Sequence, residues 1–544
     1  MTDVTAHVDT FCADNLPPRE LWPVMSRAAL PELSYPARLN CAAALLDAAV
    51  AGGRRDDTVF LFRDETWTYG RLLETCNRIA HVLVEDLGVV PGNRVLLRAP
   101  NTPMLAACWF AVLKAGAVVV ATMPLLRPRE IAYVVNKARI SLALTDSGVA
   151  EDCEKAMVVD LTGGARSGCS VVQFNSTSAD GLERLMECKP PTFEHCDTCA
   201  GDIALIAFTS GTTGQAKGTM HSHSDVMAIT DCFARHVLRP EASDIFCGTP
   251  PLAFTYALGG LLLFPIRFGA ATLMLEQASP AHLAAAIEKH KPTICFTAPT
   301  AYRAMLTMLD EFDLSSLRKC VSAGETLPAA TFAAWEAATG VRIIDGIGAT
   351  EMLHIFISAA GDDIRAGATG RAVPGYEARI VDNDGRPLPP GSVGLLQVRG
   401  PTGCRYLDDV KRQSAYVRDG WNVTGDSYLM DSEGYFWYQA RSDDMIVSSG
   451  YNIAAPEVEN AMLTHPAVRE CAVIGVPDNE RGHIVKAFIV LDADVRDAPP
   501  SVKDLQDHAK REIAPYKYPR AIEFVDVLPR TDTGKLQRFR LRDH

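Results

Sequence analysis

The run Thr209-Ser210-Gly211-Thr212-Thr213-Gly214-Gln215-Ala216-Lys217-Gly218 holds the densest chemistry in the sequence. Its three glycines let the backbone come close to an anion, and the hydroxyls of Thr209, Ser210, Thr212 and Thr213 offer donors to phosphate oxygens. Lys217 adds a movable positive charge, so a polyphosphate is the guest this composition suits. The spacing departs from G-x-x-x-x-G-K-[ST], which argues against a P-loop ATPase or kinase. Further on, Thr350 and Glu351 place a hydroxyl donor beside a hard oxygen ligand, as a magnesium–ATP complex requires.

These groups need a scaffold. Ala204 to Phe208 reads as a buried strand leading into the loop, with a helix expected on its far side. Short β-rich runs at Arg94 to Leu97, Ala117 to Ala121 and Ser141 to Thr145 alternate with helical patterns at Tyr69 to Leu87 and Met104 to Lys114. Asp225 to His236 and Pro280 to His290 read as helices, Thr272 to Leu275 and Ile294 to Thr297 as strands. This order predicts parallel α/β layers continuing to about residue 340. From Gly370 to Tyr438 short alternating strands and turns such as Asp382-Asn383-Asp384-Gly385 predict a β-rich module. Beyond Arg441 the pattern is that of a small α+β domain, with Ala455 to Leu463 and Val502 to Ile513 helical and Glu470 to Val476 and Lys486 to Leu491 extended. The expected division is a large domain over 1–440, its β-rich module at about 370–440, and a small domain over 441–544.

With 544 residues, 48% hydrophobic and 22% charged, the chain suits a soluble globule of more than one folding unit. A net charge of -13 disfavours general binding to nucleic acid or anionic membrane, so an anionic ligand needs a local site. Fifteen scattered cysteines, and a start at Met1 to Asp14 without a basic end or apolar run, predict a reducing cytoplasm. Cys196 and Cys199 beside His195 have zinc-like spacing but lack a second pair, so no zinc is expected, nor flavin or haem. The apolar stretch Leu252 to Leu275 is interrupted by Pro265 and Arg267 and reads as core rather than a membrane span.

The loop resembles the phosphate loop of the AMP-forming adenylating superfamily, which includes acyl-CoA synthetases, peptide-synthetase adenylation domains and firefly luciferase. The likeness covers roughly residues 40 to 544, with Ala216 standing where proline is usual. Gly346-Ile347-Gly348-Ala349-Thr350-Glu351 is similar to the family's aromatic-G-x-T-E element, with Ile347 in place of the aromatic. The resemblance implies that Thr350 meets the acyl phosphate, that Glu351 helps hold Mg2+, and that Gly324, Glu325, Gly346, Ile347 and Gly348 belong to the ATP site. Asp426 of Thr424-Gly425-Asp426 is implied at the ribose hydroxyls, where a carboxylate can accept two hydrogen bonds. Arg441 is implied on the ribose or phosphate side, Asp443 as the hinge that makes the small C-terminal α+β domain mobile, and Gly450 along the pantetheine passage; Asn452 stands where many members carry an arginine. Lys535, within Pro529 to Arg538, is implied as the catalytic cation that offsets charge when a carboxylate attacks the α-phosphate.

The activity implied is ATP-dependent formation of an acyl-adenylate and then a thioester, with ATP, Mg2+ and coenzyme A as the small-molecule partners. Coenzyme A is expected as the acceptor because the chain stops at His544 without a carrier domain. Pro251 to Gly259 offers no acid to hold an α-ammonium, which disfavours an amino acid. The segments around Phe254-Thr255-Tyr256, Ala298 to Tyr302, Ser322 to Glu325 and Gly346 to His354 resemble the benzoate and 2-aminobenzoate CoA ligase branch. Phe254, Tyr256, Ala298, Ala323, Gly348 and His354 would then line a flat slot for a planar aromatic acid. A medium-chain or cycloalkyl acyl-CoA synthetase and a degenerate nucleotide or acyl binder are the alternatives. A monomer or homodimer is expected.

Overall fold

The computed structural model describes residues 4–159, 168–209, 216–277, 279–324, 327, 329–441, 445–492, 495, 499–529 and 538–541. Two sheets form the larger part. The first has six strands in the order Ser170–Phe174, Leu142–Asp146, Arg94–Arg98, Val118–Thr122, Ile203–Thr209, Lys217–Ser222. All its neighbours are parallel except the last pair. Strands buried on both faces need continuous apolar runs, and Val118-Val119-Val120 is such a run.

The second sheet has nine strands and draws on distant parts of the chain. Its parallel centre is Ile343–Gly348, Lys319–Ser322, Ile294–Thr297, Ile245–Gly248, Ala271–Leu273 and Thr58–Phe62. Antiparallel strands Ile355–Ser358 and Arg371–Ala372 close one edge and Glu65–Thr68 the other. The single α/β region expected to about residue 340 is therefore two sheets, and the second runs on to Ala372. Local pattern announces a strand such as Ile294–Thr297 but not which sheet it joins, because that choice depends on partners far away in sequence.

Helix Pro103–Lys114 illustrates how the layers lock. Thr102 caps it by accepting from Leu105 N (3.2 Å), Pro103 occupies its first turn, and every residue of the helix is buried. A helix apolar all round belongs between layers, where each buried Leu, Val or Phe contributes about 1.5–3 kcal/mol. One apolar core joins this helix to strands of both sheets, through Phe110, Leu144, Phe246 and Phe296.

The phosphate-loop shoulder departs from expectation. A strand, Lys217–Ser222, which no pattern announced, lies between the loop and the helix; it returns antiparallel to Ile203–Thr209, and the helix read from Asp225 starts at His223. Alternation in Thr219-Met220-His221 was masked by the buried polar side chains of both Thr219 and His221. Leu252 to Leu275 resolves into short helical pieces, Thr255–Ala257, Leu258–Leu263 and Phe264–Phe268, and the strand Ala271–Leu273. Arg267 pairs there with buried Asp231 at 2.9 Å. Among the described residues no helix is long and apolar enough to cross a membrane.

A five-stranded antiparallel sheet of Glu377–Val381, Val393–Arg399, Trp421–Met430, Val417–Arg418 and Phe436–Arg441 supplies the β-rich module. A last sheet joins Tyr451–Ala454, Met445–Ser448, Gly482–Leu491, Val468–Asp478 and Ala521–Phe524. Helices Ala455–Leu463 and Val502–Glu512 pack on it around Ile453, Val458, Val473, Ile489 and Leu505, a core of its own.

Candidate active site

Parallel strands carry their C-terminal ends to one side of a sheet, and the crevice outside those ends is where α/β sheets bind ligands. Here two sheets do so at once. Thr249, Ala298, Ala323 and Gly348 come from the ends of four strands of the nine-stranded sheet. Asn101, Met123 and Thr209 come from the ends of three strands of the six-stranded sheet. All line a cavity of about 1760 Å³, closed on its far side by Gly450, Tyr451 and Lys517 of the C-terminal lobe. Buried Arg98 donates to the carbonyls of Met123 (2.6 Å), Pro124 (2.7 Å) and Leu126 (3.0 Å), stiffening that wall. Asn101 fixes the opposite loop, donating to Pro250 O (3.0 Å) and accepting from Leu252 N (2.8 Å).

The structure brings together all six residues expected at the acid: Phe254, Tyr256, Ala298, Ala323, Gly348 and His354. The Tyr256 hydroxyl donates to Val321 O (3.0 Å), so the tyrosine offers its ring rather than its oxygen. His354 is buried among Phe233, Tyr256 and Phe264, and burial pushes its pKa down to about 3. Its Nε2 donates to Tyr256 O (3.2 Å), which fixes the tautomer of the neutral ring. A Cβ on Gly348 would lie 2.8 Å from His354 O, and one on Gly259 would lie 2.4 Å from His354 Cδ2. Gly348 thus lets its strand close on the His354 backbone, and Gly259 lets its helix close on the imidazole. The result is a ring-walled slot in which none of these six described residues is ionised.

On the phosphate side, Thr209 and Lys217 are register partners at the shoulders of the loop. Ser210, Gly211, Thr212, Thr213 and Gly214 lie outside the described residues, as do Glu325, Asp443 and Lys535; the side chain of Arg441 is likewise outside them. Tyr133 OH donates to Ala216 O at 3.2 Å and holds the loop exit. Gly324 and Thr350 also line the cavity, whereas Gly346, Ile347, Glu351 and Asp426 are not among the residues that line it. Asp426 sits opposite Arg441 in the antiparallel ladder. Glu351, 9% exposed, accepts from Tyr406 OH at 2.6 Å, and Thr350 O accepts from His221 Nε2 at 2.8 Å. Burial, reinforced by Glu351, pushes the Tyr406 phenol up, so it remains a donor. Among the described residues no cluster of three His, Cys, Asp or Glu gathers to hold a metal unaided.

Gly450 reaches the cavity from the C-terminal lobe, its carbonyl 3.8 Å from the place a Cβ on Gly324 would take. Gly324 has φ +88, a conformation in which a side chain would be strained. An ion trio holds the lobes in this arrangement. Lys517 Nζ donates to Glu130 Oε1 (2.7 Å) of the large lobe and to Glu457 Oε1 (2.5 Å) of its own. No motif announces this trio, nor Tyr406 or His221, because their partners are remote in sequence.

Burial pushes the Glu457 carboxyl up to about 7, against the pull of Lys517 and with Glu130 adding to the rise. A carboxyl raised in the folded protein contributes stability that is fully present below its ordinary range, and that contribution is lost as pH rises through about 7. The thermal unfolding temperature is therefore expected to fall between about pH 6 and pH 8. Glu457→Gln, neutral throughout, is expected to remove that dependence; a pH response unchanged in this variant would assign it to other groups.

The sequence profile of the AMP-binding enzyme matches residues 47–405, and that of the AMP-binding enzyme C-terminal domain matches residues 457–535. The benzoate–CoA ligase of Thauera aromatica is 36% identical over 518 residues, covering 94% of this chain and 97% of that protein. The mitochondrial acyl-coenzyme A synthetase ACSM3 of Rattus norvegicus is 32% identical over 491 residues, covering 88% of this chain and 84% of that protein. Among solved structures, the anthranilate CoA ligase AuaEII in complex with anthranoyl-AMP superposes with a TM-score of 0.73 at 35% identity, covering 94% of this chain and 98% of that one.

Proposed function

The chain belongs to the AMP-binding enzyme family and is an acid–thiol ligase of the AMP-forming acyl-CoA type; from that premise we propose that its acid is a planar aromatic carboxylate such as benzoate or 2-aminobenzoate. The observation that carries the reading is the slot of Phe254, Tyr256, His354 and Gly348, walled by rings and held without charge. A flat ring fills it and leaves its carboxylate at the mouth, toward Thr350.

In the proposed first half-reaction a carboxylate oxygen attacks the α-phosphorus of ATP as the bond to pyrophosphate breaks. Thr209, Ser210, Gly211, Thr212, Thr213, Gly214 and Lys217 cradle the departing phosphates, Thr350 donates to the acyl phosphate, and Lys535 offsets the charge that builds there. Gly324, Glu325, Gly346, Ile347 and Gly348 enclose the nucleotide, with Asp426 and Arg441 at its ribose. Glu351 with the Thr350 hydroxyl fits Mg2+, which takes one or two carboxylates and completes its shell with water and substrate phosphates. That ion supplies charge neutralisation on the phosphates when bound. In the second half-reaction the thiol of coenzyme A, entering past Gly450, attacks the carbonyl and AMP leaves with the carboxylate oxygen. The proposed domains are 1–440 and 441–544, pivoting near Asp443 between the two steps.

The likeness to ACSM3 and a cavity of about 1760 Å³ support a second reading, a medium-chain or cycloalkyl acid. Turnover of benzoate, 2-aminobenzoate, cyclohexanecarboxylate and octanoate with coenzyme A separates the two. Benzoate or 2-aminobenzoate is expected to exceed octanoate in kcat/KM by at least about tenfold, the discrimination a shaped pocket supplies. Turnover of octanoate alone would replace the aromatic reading with the second.

A further inference from the structure

Glu351 and the phosphate-loop exit are far apart in sequence, yet one side chain spans them. The segment Cys404 to Leu407 lies against the strand Lys217–Ser222: Met220 N donates to Arg405 O (2.8 Å), Leu407 N donates to Gly218 O (2.8 Å), and Thr219 and Tyr406 form a bridge. Tyr406 is 1% exposed, and its N–H donates to Oε1 of fully buried Gln413 (2.9 Å). Gln413 in turn donates to Cys404 O (3.0 Å) and Leu21 O (2.9 Å), so the backbone that carries the tyrosine is fixed from both sides. The Tyr406 ring centre is 5.9 Å from Lys217 Nζ, and its hydroxyl donates to Glu351 Oε1 at 2.6 Å. Among the described residues no second hydrogen bond reaches the Glu351 carboxylate.

We propose that Tyr406 is a positioning residue for the magnesium–ATP site, tying the Glu351 carboxylate to the exit strand of the phosphate loop and directing its other oxygen, Oε2, to the metal. The inference rests on the reading of Glu351 as the metal-side carboxylate. A donor within 2.6 Å removes one oxygen of a rotatable carboxylate from competition and sets the plane of the other. The neighbouring residues are held in the same way: His221 fixes the carbonyl of Thr350, and Thr402 Oγ1 donates to Met352 O at 2.8 Å. Three successive residues thus take their place from three separate hydrogen bonds. Only the one at Glu351 acts on a side chain that would meet an ion.

The test is a double-mutant cycle on Tyr406→Phe and Glu351→Gln, read by the free Mn2+ signal in electron paramagnetic resonance with a non-hydrolysable ATP analogue present. Tyr406→Phe is expected to weaken Mn2+ binding about tenfold, the lower end of the cost of removing an outer-shell partner. In the Glu351→Gln background the same change is expected to cost nothing further. Thioester formation from preformed acyl-adenylate, which needs no metal–ATP complex, is expected to be unchanged by Tyr406→Phe and so reports an intact fold. Mn2+ binding by Tyr406→Phe equal to wild type, or an equal loss in both backgrounds, would overturn the proposal and leave Tyr406 as packing. Glu351→Gln that binds Mn2+ like wild type would overturn the underlying reading of Glu351, and the positioning role with it.

Discussion

Lys535→Ala is expected to lower acyl-adenylate formation by about 10²–10³-fold, the range for removing one preorganised charge from a transition state. Nucleophile and α-phosphate are both anions, so the cation matters most as they meet and much less when the neutral thioester carbonyl is formed. Thioester formation from synthetic acyl-adenylate and coenzyme A is therefore expected to survive the substitution. Lys535 lies outside the described residues, but Arg538 just beyond it makes a bidentate pair with Glu459 at 2.8 and 2.9 Å. That pair anchors the following helix to the C-terminal lobe. Pyrophosphate release and single-turnover thioester formation, measured separately, check the split. Equal losses in both would remove Lys535 from its proposed role.

Glu351→Gln is the second large effect. The amide keeps the volume and can still accept from Tyr406, so the fold is expected to hold while the negative charge is lost. kcat/KM for ATP is expected to fall about 10–100-fold, with a higher magnesium requirement and an unchanged KM for the acid. Steady-state kinetics at graded magnesium concentration measure it. A loss confined to the acid's KM would move Glu351 from the nucleotide to the slot.

Much of this site was legible in the sequence because its parts are local. The strand into Thr209 and the Thr350–Glu351 pair each sit within a short window, whereas the slot residues, spread from Phe254 to His354, were legible only through the family resemblance of their separate segments. Helix Pro280–His290 and strand Ile294–Thr297 have the limits that their apolar period implies. What failed was long-range or disguised. The strand Lys217–Ser222 carries buried Thr219 and His221 where an apolar alternation would have announced it, and it pairs with a segment near Tyr406 almost two hundred residues on. Thr58–Phe62 joins a sheet whose next strand in space is Ala271–Leu273, a pairing no window contains. The same reason hid Tyr406 and the trio of Glu130, Lys517 and Glu457, each an ordinary residue until the fold supplies its partner.

The identity of the acid rests on shape, since Tyr256 spends its hydroxyl on Val321 O and His354 is held neutral. Discrimination in such a slot comes from ring packing, and a substituent with a donor or acceptor changes affinity only where it meets a polar atom. The chemistry of activation is independent of that choice.

The fate of oxygen-18 in the carboxylate of the most active acid reports the chemistry directly. With ATP and coenzyme A present, one labelled oxygen is predicted to appear in AMP and none in pyrophosphate, because the carboxylate oxygen that attacks the α-phosphorus stays with it when the thiol expels AMP. Label in orthophosphate with ADP as the nucleotide product would contradict an acyl-adenylate.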